Sequence, residues 1–246
     1  MITIAHRGAS ADTPENTLSA FRRAVQLGAD MIELDVRLSR DGKVMVFHDQ
    51  DLSRTTDGTG PVEERTLEEL RALDAGSWFS DEFKGEGIPT LEEVIRTILP
   101  SRIELCIEIK IDQGREYHRK RLVAGTLEII EKTRFRNRGI PASFDRESIR
   151  ISKSISPEIR TGLIFSREEV WTECAEENYS GIDYLSSRWN IITAPRVAAA
   201  HRAGRKVIAW TIDREEELNR LLPLSVDALA SNNPEWLIEA LKSGNQ

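Results

Sequence analysis

"MIELDVRLSRDGKVMVFHDQD", residues 31–51, reads as two apolar strands interrupted by Glu33, Asp35 and His48. Only "RDGK", residues 40–43, separates the two runs. A parallel crossover takes a dozen or more residues, so the second run returns antiparallel, and Asp41-Gly42 is a hairpin turn signal. With Asp41 and Gly42 as the central turn residues, His48 is expected opposite Asp35 on the same face. Glu33, two residues back, shares that face by the strand period of two. Three chemically active side chains then meet where packing alone would favour Val or Leu.

Outward from this hairpin, β-branched runs alternate with amphipathic segments. "ITIA", "MIELDV", "IELCIEI", "IPASF", "IRTGLI", "IDYLSS", "KVIAW" and "VDALAS" read as strands, and helical patterns separate most of them. Repeated strand-then-helix units argue for an α/β fold closed into a (β/α)8 TIM barrel, although alternation alone is also compatible with a doubly wound sheet. The first helix is expected over "PENTLSAFRRAVQLG", with Thr13 as N-cap, Pro14 at the first helical position and Gly28 at the stop. Glu15 and Asn16 then fall in its first turn, where capping accounts for them, and a contact to Arg7 is the alternative. No linker or repeat divides the chain, so residues 1–246 are expected to form one domain, the segment 50–87 being an insertion after the hairpin.

The composition narrows the function. With 246 residues and 39% apolar content the chain can bury a large core, and its net charge of −7 argues against nucleic acid or an anionic membrane as partner. The N-terminal "MITIAHRGAS" enters a strand directly, and the expected location is cytoplasmic. Cys106 and Cys174 have no metal-binding spacing and form no disulfide framework; both read as reduced packing residues.

Two further strand ends carry chemistry. "ITIAHRG" ends in His6 and Arg7 before Gly8, which is expected to let the backbone approach a ligand, and "LCIEIK" sets Glu108 and Lys110 two apart. In a parallel barrel these ends meet at the C-terminal mouth. Glu33, Asp35 and Glu108 would then share one mouth, which is costly unless a hard divalent cation, Mg²⁺ or Ca²⁺, compensates them. Arg7 and Lys110 are suited to bind a phosphate and to neutralise charge at phosphorus. His6 and His48 form an acid and base pair for phosphodiester cleavage. The ordinary reading of an isolated E-x-D is a solvent-facing alternation; Glu108 and His48 at the same mouth reverse it. His118 and His201 fall in charged helical patterns and are expected to be solvated, while Trp78, Phe79 and Phe83 are expected to form the core of the insertion.

At these residues the chain resembles the glycerophosphodiester phosphodiesterases of the phosphatidylinositol-phospholipase-C-like barrel superfamily. The resemblance rests on "AHRGAS", "PENT", "GADMIELDVRLSRDGKVMVFHD", "LSRTTDGTG", "IPTLEEV", "IEIK", "SF" and "AWT", in that order, over nearly the whole chain. It implies hydrolysis of glycerophosphodiesters, such as glycerophosphocholine or glycerophosphoethanolamine, to an alcohol and glycerol 3-phosphate. By position it implies Glu33, Asp35 and Glu108 as metal ligands, His6 and His48 as the catalytic pair, and Arg7 and Lys110 on the phosphate. Trp210, closing "KVIAW", is implied as a wall of the substrate site, and residues 50–87 as an insertion over the mouth. The family pattern often ends its last strand in "TD" before a proline; here "ASNNPEW" places Asn232 at the acidic position. Two alternatives remain at this point: a lysophospholipase D acting on lipid-bearing substrates, which needs an apolar groove or interfacial helix, and a catalytically silent phosphodiester-binding barrel.

Overall fold

The computed structural model describes residues 1–112, 116–171 and 181–243. All eight expected strand runs form strands: β1 (Ile2–His6), β2 (Met31–Leu38), β4 (Glu104–Ile109), β5 (Gly139–Ser143), β6 (Gly162–Phe165), β7 (Tyr184–Arg188), β8 (Lys206–Trp210) and β9 (Ala228–Ser231). They pair in parallel, and β1 bonds to both β9 and β2, which closes the ring. The doubly wound alternative is thereby excluded, and the fold is a (β/α)8 barrel. A ninth strand, β3 (Val44–Val46), runs antiparallel to β2 outside the ring.

Alternation along the strands sorts the apolar residues into layers. Ile4, Met31, Cys106, Ile140, Ile164, Tyr184, Ile208 and Ala228 fill the barrel interior. The opposite faces pack under the helices in two larger clusters, one around Phe21, Leu34, Ile95 and Phe135, the other around Leu185, Val207, Leu218 and Leu229. The interior is therefore plugged by side chains below and left for polar groups at the strand ends above.

The hairpin differs from expectation by one residue. Val36 faces Val46 and Leu38 faces Val44, so Phe47 stands opposite Asp35, bonding its N–H to the Asp35 carbonyl at 2.9 Å. The turn is a three-residue loop, 40–42, closed by Ser39 N–H to Lys43 O at 2.9 Å, with Gly42 left-handed at φ 81°. A two-residue type I′ turn would need positive φ at Asp41 as well; a type I turn followed by one left-handed Gly does not.

The first helix also starts later than expected. It spans Leu18–Leu27, its N-cap is Thr17, whose hydroxyl accepts from Ala20 N–H, and Gly28 ends it at φ 79°. Asn16 has φ 59°, outside helical space, so "PENT" is a turn ahead of the helix. Gly8, at φ 84°, serves packing: a Cβ there would sit 2.6 Å from that of Ala20, so the glycine brings the β1 exit against the first helix. Cys174, expected as a packing residue, lies outside the described residues.

Residues 50–87 build a small core with β3 from Met45, Phe47, Leu52, Val62, Leu70, Ala75 and Ile88. Trp78, Phe79 and Phe83 are not part of it; they stack edge to face at 5.7 Å on its outside, with Trp78 40% exposed. The core they were expected to form is already built from Phe47 and smaller apolar side chains, and the three rings pack on one another instead. His201 is exposed and lies 2.9 Å from Asp227, whereas His118 is half-buried and lies 3.6 Å from Glu63 of the insertion.

Candidate active site

The parallel register assembles the acidic cluster. His6 of β1 lies beside Glu33 of β2, and Asp35 lies beside Glu108 of β4. All three carboxylates are buried, and each offers an oxygen within 4.8 Å of the others. Arg7, in the left-handed region at φ 55°, donates its backbone N–H to Glu33 Oε2 at 3.0 Å. Its side chain donates to Glu15 at 3.0 Å and lies 3.5 Å from Asp35. Asn16, also left-handed, donates Nδ2–H to Asp35 Oδ2 at 2.9 Å. Each such non-glycine conformation costs on the order of 1 kcal/mol or more, and here each is held by a bond to the acidic cluster. The helix-capping account of Glu15 and Asn16 therefore fails, and the contact from Glu15 to Arg7 is observed.

The carboxylates differ in electrostatic state. Burial, with the Asp35 and Glu108 charges, pushes Glu33 well above the usual carboxylate range. Burial likewise raises Glu108, against the pull of Lys110, whose ammonium donates to Glu108 at 2.7 Å. Burial alone would raise Asp35 too, but Lys110, Arg7 and His48 hold it well below its ordinary value. Asp35 Oδ1 is buried and accepts no hydrogen bond among the described residues, with the Lys110 ammonium 3.4 Å away. An orphaned carboxylate oxygen beside two carboxylates that ionise reluctantly fits a hard divalent cation bound by oxygen ligands.

Both histidines reach this cluster. His6 sets Nδ1 2.7 Å from Asn232 Oδ1 and Nε2 3.8 Å from Glu33. His48 sets Nδ1 2.6 Å from Asp49, and Arg37 Nε donates to the His48 carbonyl at 2.8 Å. Although the register is not the expected one, β3 ends at Val46, and His48 lies past it in the loop that turns into the mouth. Asp49 is gripped by Arg54 of the insertion, which also donates to both oxygens of Glu15, at 2.9 and 2.7 Å. A continuous ionic chain thus runs from Arg7 through Glu15, Arg54 and Asp49 to His48. Burial lowers both imidazoles below their ordinary range; Asp35 opposes this at His48. Both shifts favour the neutral ring, the form that accepts a proton.

These groups line a cavity of about 140 Å³. His6, Arg7, Glu33, His48, Glu108 and Lys110 form one side, and Trp210, Phe144, Ile164 and Ile208 contribute to the other. Phe144, 49% exposed, meets Trp210 edge to face at 6.0 Å. Residues 50–87 supply no lining residue; the insertion meets the site through Arg54. Cys106 lies beneath, its thiol pushed well up by burial and then by Glu33 and Glu108, and so stays protonated. Sequence reasoning missed Asn232 as a partner of His6, Asp49 as a partner of His48, and Arg54 and Arg37 as their supports. "VFHD" carried the Asp49 signal in its last letter; "ASNNPEW" marked Asn232 as a departure from the family pattern and not as a partner of His6.

A family profile described as "Glycerophosphoryl diester phosphodiesterase family" matches residues 6–236. A glycerophosphodiester phosphodiesterase of Caldanaerobacter subterraneus subsp. tengcongensis is 38% identical over 246 residues, covering 99% of this chain and 98% of that protein. An Oleispira antarctica phosphodiesterase, solved in complex with the product sn-glycerol-3-phosphate, superposes with a TM-score of 0.89 at 33% identity, over 98% of this chain and 97% of that one. A glycerophosphodiester phosphodiesterase from Agrobacterium tumefaciens superposes at 0.81 with 28% identity, over 96% and 97%. The chain belongs to the glycerophosphoryl diester phosphodiesterase family and is a phosphodiesterase.

Proposed function

We propose that this enzyme hydrolyses glycerophosphodiesters with small headgroups, glycerophosphocholine or glycerophosphoethanolamine among them, releasing the alcohol and glycerol 3-phosphate, and that it does so in the cytoplasm with a divalent cation, Mg²⁺ or Ca²⁺. The observation that carries the reading is the cavity itself, in which two histidines, two cationic groups and Glu33 and Glu108 of the acidic cluster face one space small enough for a polar diester, with Asp35 buried behind them. The product named for the Oleispira antarctica relative supports the glycerol phosphate half.

In this reading Glu33, Asp35 and Glu108 hold the cation. When bound it would offset their mutual repulsion and polarise a phosphoryl oxygen. Arg7 and Lys110, already on the carboxylate side, turn their remaining donors to the phosphate. One of the pair His6 and His48 takes the proton of the attacking oxygen and the other protonates the leaving alkoxide. Trp210 and Phe144 wall the apolar side, where the alcohol or glycerol carbons rest. Trp210 Nε1 is buried without a hydrogen-bond partner among the described residues.

The test is glycerol 3-phosphate release from glycerophosphocholine by ion-stripped protein, with Mg²⁺ or Ca²⁺ added back. Ion-restored turnover supports the reading. No turnover with either ion, from protein shown to be folded, removes this substrate and makes lysophospholipids the next to try.

A further inference from the structure

The two histidines are held differently at Nδ1, His48 by a carboxylate and His6 by an amide. An amide has a donor end and an acceptor end, so something must decide which end meets the ring. Asp213 makes that decision. Its Oδ1 accepts from Asn232 backbone N–H at 2.8 Å and from the Ser231 hydroxyl at 2.9 Å, and its Oδ2 accepts from Asn232 Nδ2 at 2.6 Å. An ionised carboxylate only accepts, so the Asn232 NH₂ must point to Asp213 and Oδ1 must point to His6. At 2.7 Å from an acceptor oxygen, His6 Nδ1 must carry the proton. The Ser10 hydroxyl lies 3.1 Å from the same Asn232 oxygen and 2.9 Å from the His6 carbonyl, adding a second contact at the acceptor end.

We infer that Asn232 and Asp213 form a positioning device for His6. Asp213 orients the amide, the amide fixes the proton on Nδ1, and Nε2 is left as the nitrogen that serves the barrel mouth beside Glu33. Neither residue touches the cavity; both act through the imidazole. The inference rests on the reading of His6 as a proton-transfer group, but the tautomer it assigns is observable without turnover.

The experiment is ¹⁵N NMR of the intact protein labelled at histidine, with the His6 ring signals identified by their loss in His6→Gln among the four histidines of the chain. Wild type is expected to show Nδ1 protonated and Nε2 bare. In Asp213→Asn, residue 213 can both donate and accept, so the Asn232 amide can turn. The His6 signals should then shift toward the Nε2–H form, and kcat should fall ~10- to 100-fold, as for other orienting partners, with KM little changed. The exchange Asn232→Asp with Asp213→Asn returns a fixed acceptor to His6 and should restore both the signals and most of kcat. The inference is overturned if wild-type His6 shows the Nε2–H form, if Asp213→Asn moves neither signals nor kcat, or if the folded double variant fails to restore the tautomer. A wild type with the expected tautomer and no glycerol 3-phosphate release would leave the device standing and sink the proposed substrate instead.

Discussion

Asp35 concentrates the chemistry of the site at a single residue: Asn16 bonds one oxygen, Arg7 and Lys110 lie within ion-pair distance, and the other oxygen takes no hydrogen bond among the described residues. Asp35→Asn should abolish measurable Mg²⁺ or Ca²⁺ binding in titration calorimetry; retained affinity would move the ion elsewhere. In the ion-free protein Glu33 and Glu108 hold protons more tightly than ordinary carboxylates, burial being the main cause. A cation competes with protons for these carboxylates, so binding at a pH where they are partly protonated should release protons and should weaken as the solution is made more acidic. Calorimetry in two buffers of different protonation enthalpy reads this directly, and zero net release would contradict it. His48→Gln should lower kcat by ~10²- to 10⁴-fold while the fold, read by circular dichroism, stays intact. That His6, Glu33, Asp35 and Glu108 would meet was legible because strand ends and a period of two place them together, whereas His48 reaches the same mouth from the loop past β3 and not by the cross-strand register expected for it. Asn232 was legible only as a departure from the family's acidic position and not as the partner of His6, because 226 residues separate them. Glu15 and Asn16 were misread for the opposite reason, since "PENT" satisfies a helix-start pattern while the Asn16–Asp35 bond favours a turn.

Among the elements, the β1 exit and the hairpin show how little a local pattern fixes once packing intervenes. Asp41-Gly42 suits both a two-residue and a three-residue loop, and sequence alone does not choose between them; the choice shifts every cross-strand partner by one. Strand and helix existence was legible because β-branched runs and amphipathic periods are long and regular. Gly8 and Gly28 separate two effects that sequence leaves merged. Both are left-handed, at φ 84° and 79°, yet a Cβ at Gly8 strikes Ala20 at 2.6 Å while one at Gly28 meets open space. Gly28→Ala should cost about 1 kcal/mol, the conformational term alone. Gly8→Ala should cost on the order of 2–4 kcal/mol, because overpacking adds to it. Urea melts of the two variants give the difference, and equal losses would show that the first helix simply moves aside.

Over the whole molecule, the barrel holds three buried carboxylates at one mouth against two cationic side chains, and a bound cation should therefore stabilise the fold. At 100-fold excess over its dissociation constant the gain is ~2.7 kcal/mol, seen as a rise in the thermal midpoint that Asp35→Asn abolishes. An unchanged midpoint in wild type would argue against binding at this cluster. The ring closes where β1 meets β9, and that seam has a consequence in time. His6 leaves the ribosome well before Asp213 and before Asn232, which follows it by 226 residues. A nascent chain can thus carry both histidines and all three acids long before His6 meets Asn232, so the barrel mouth is completed only once β9 has been made.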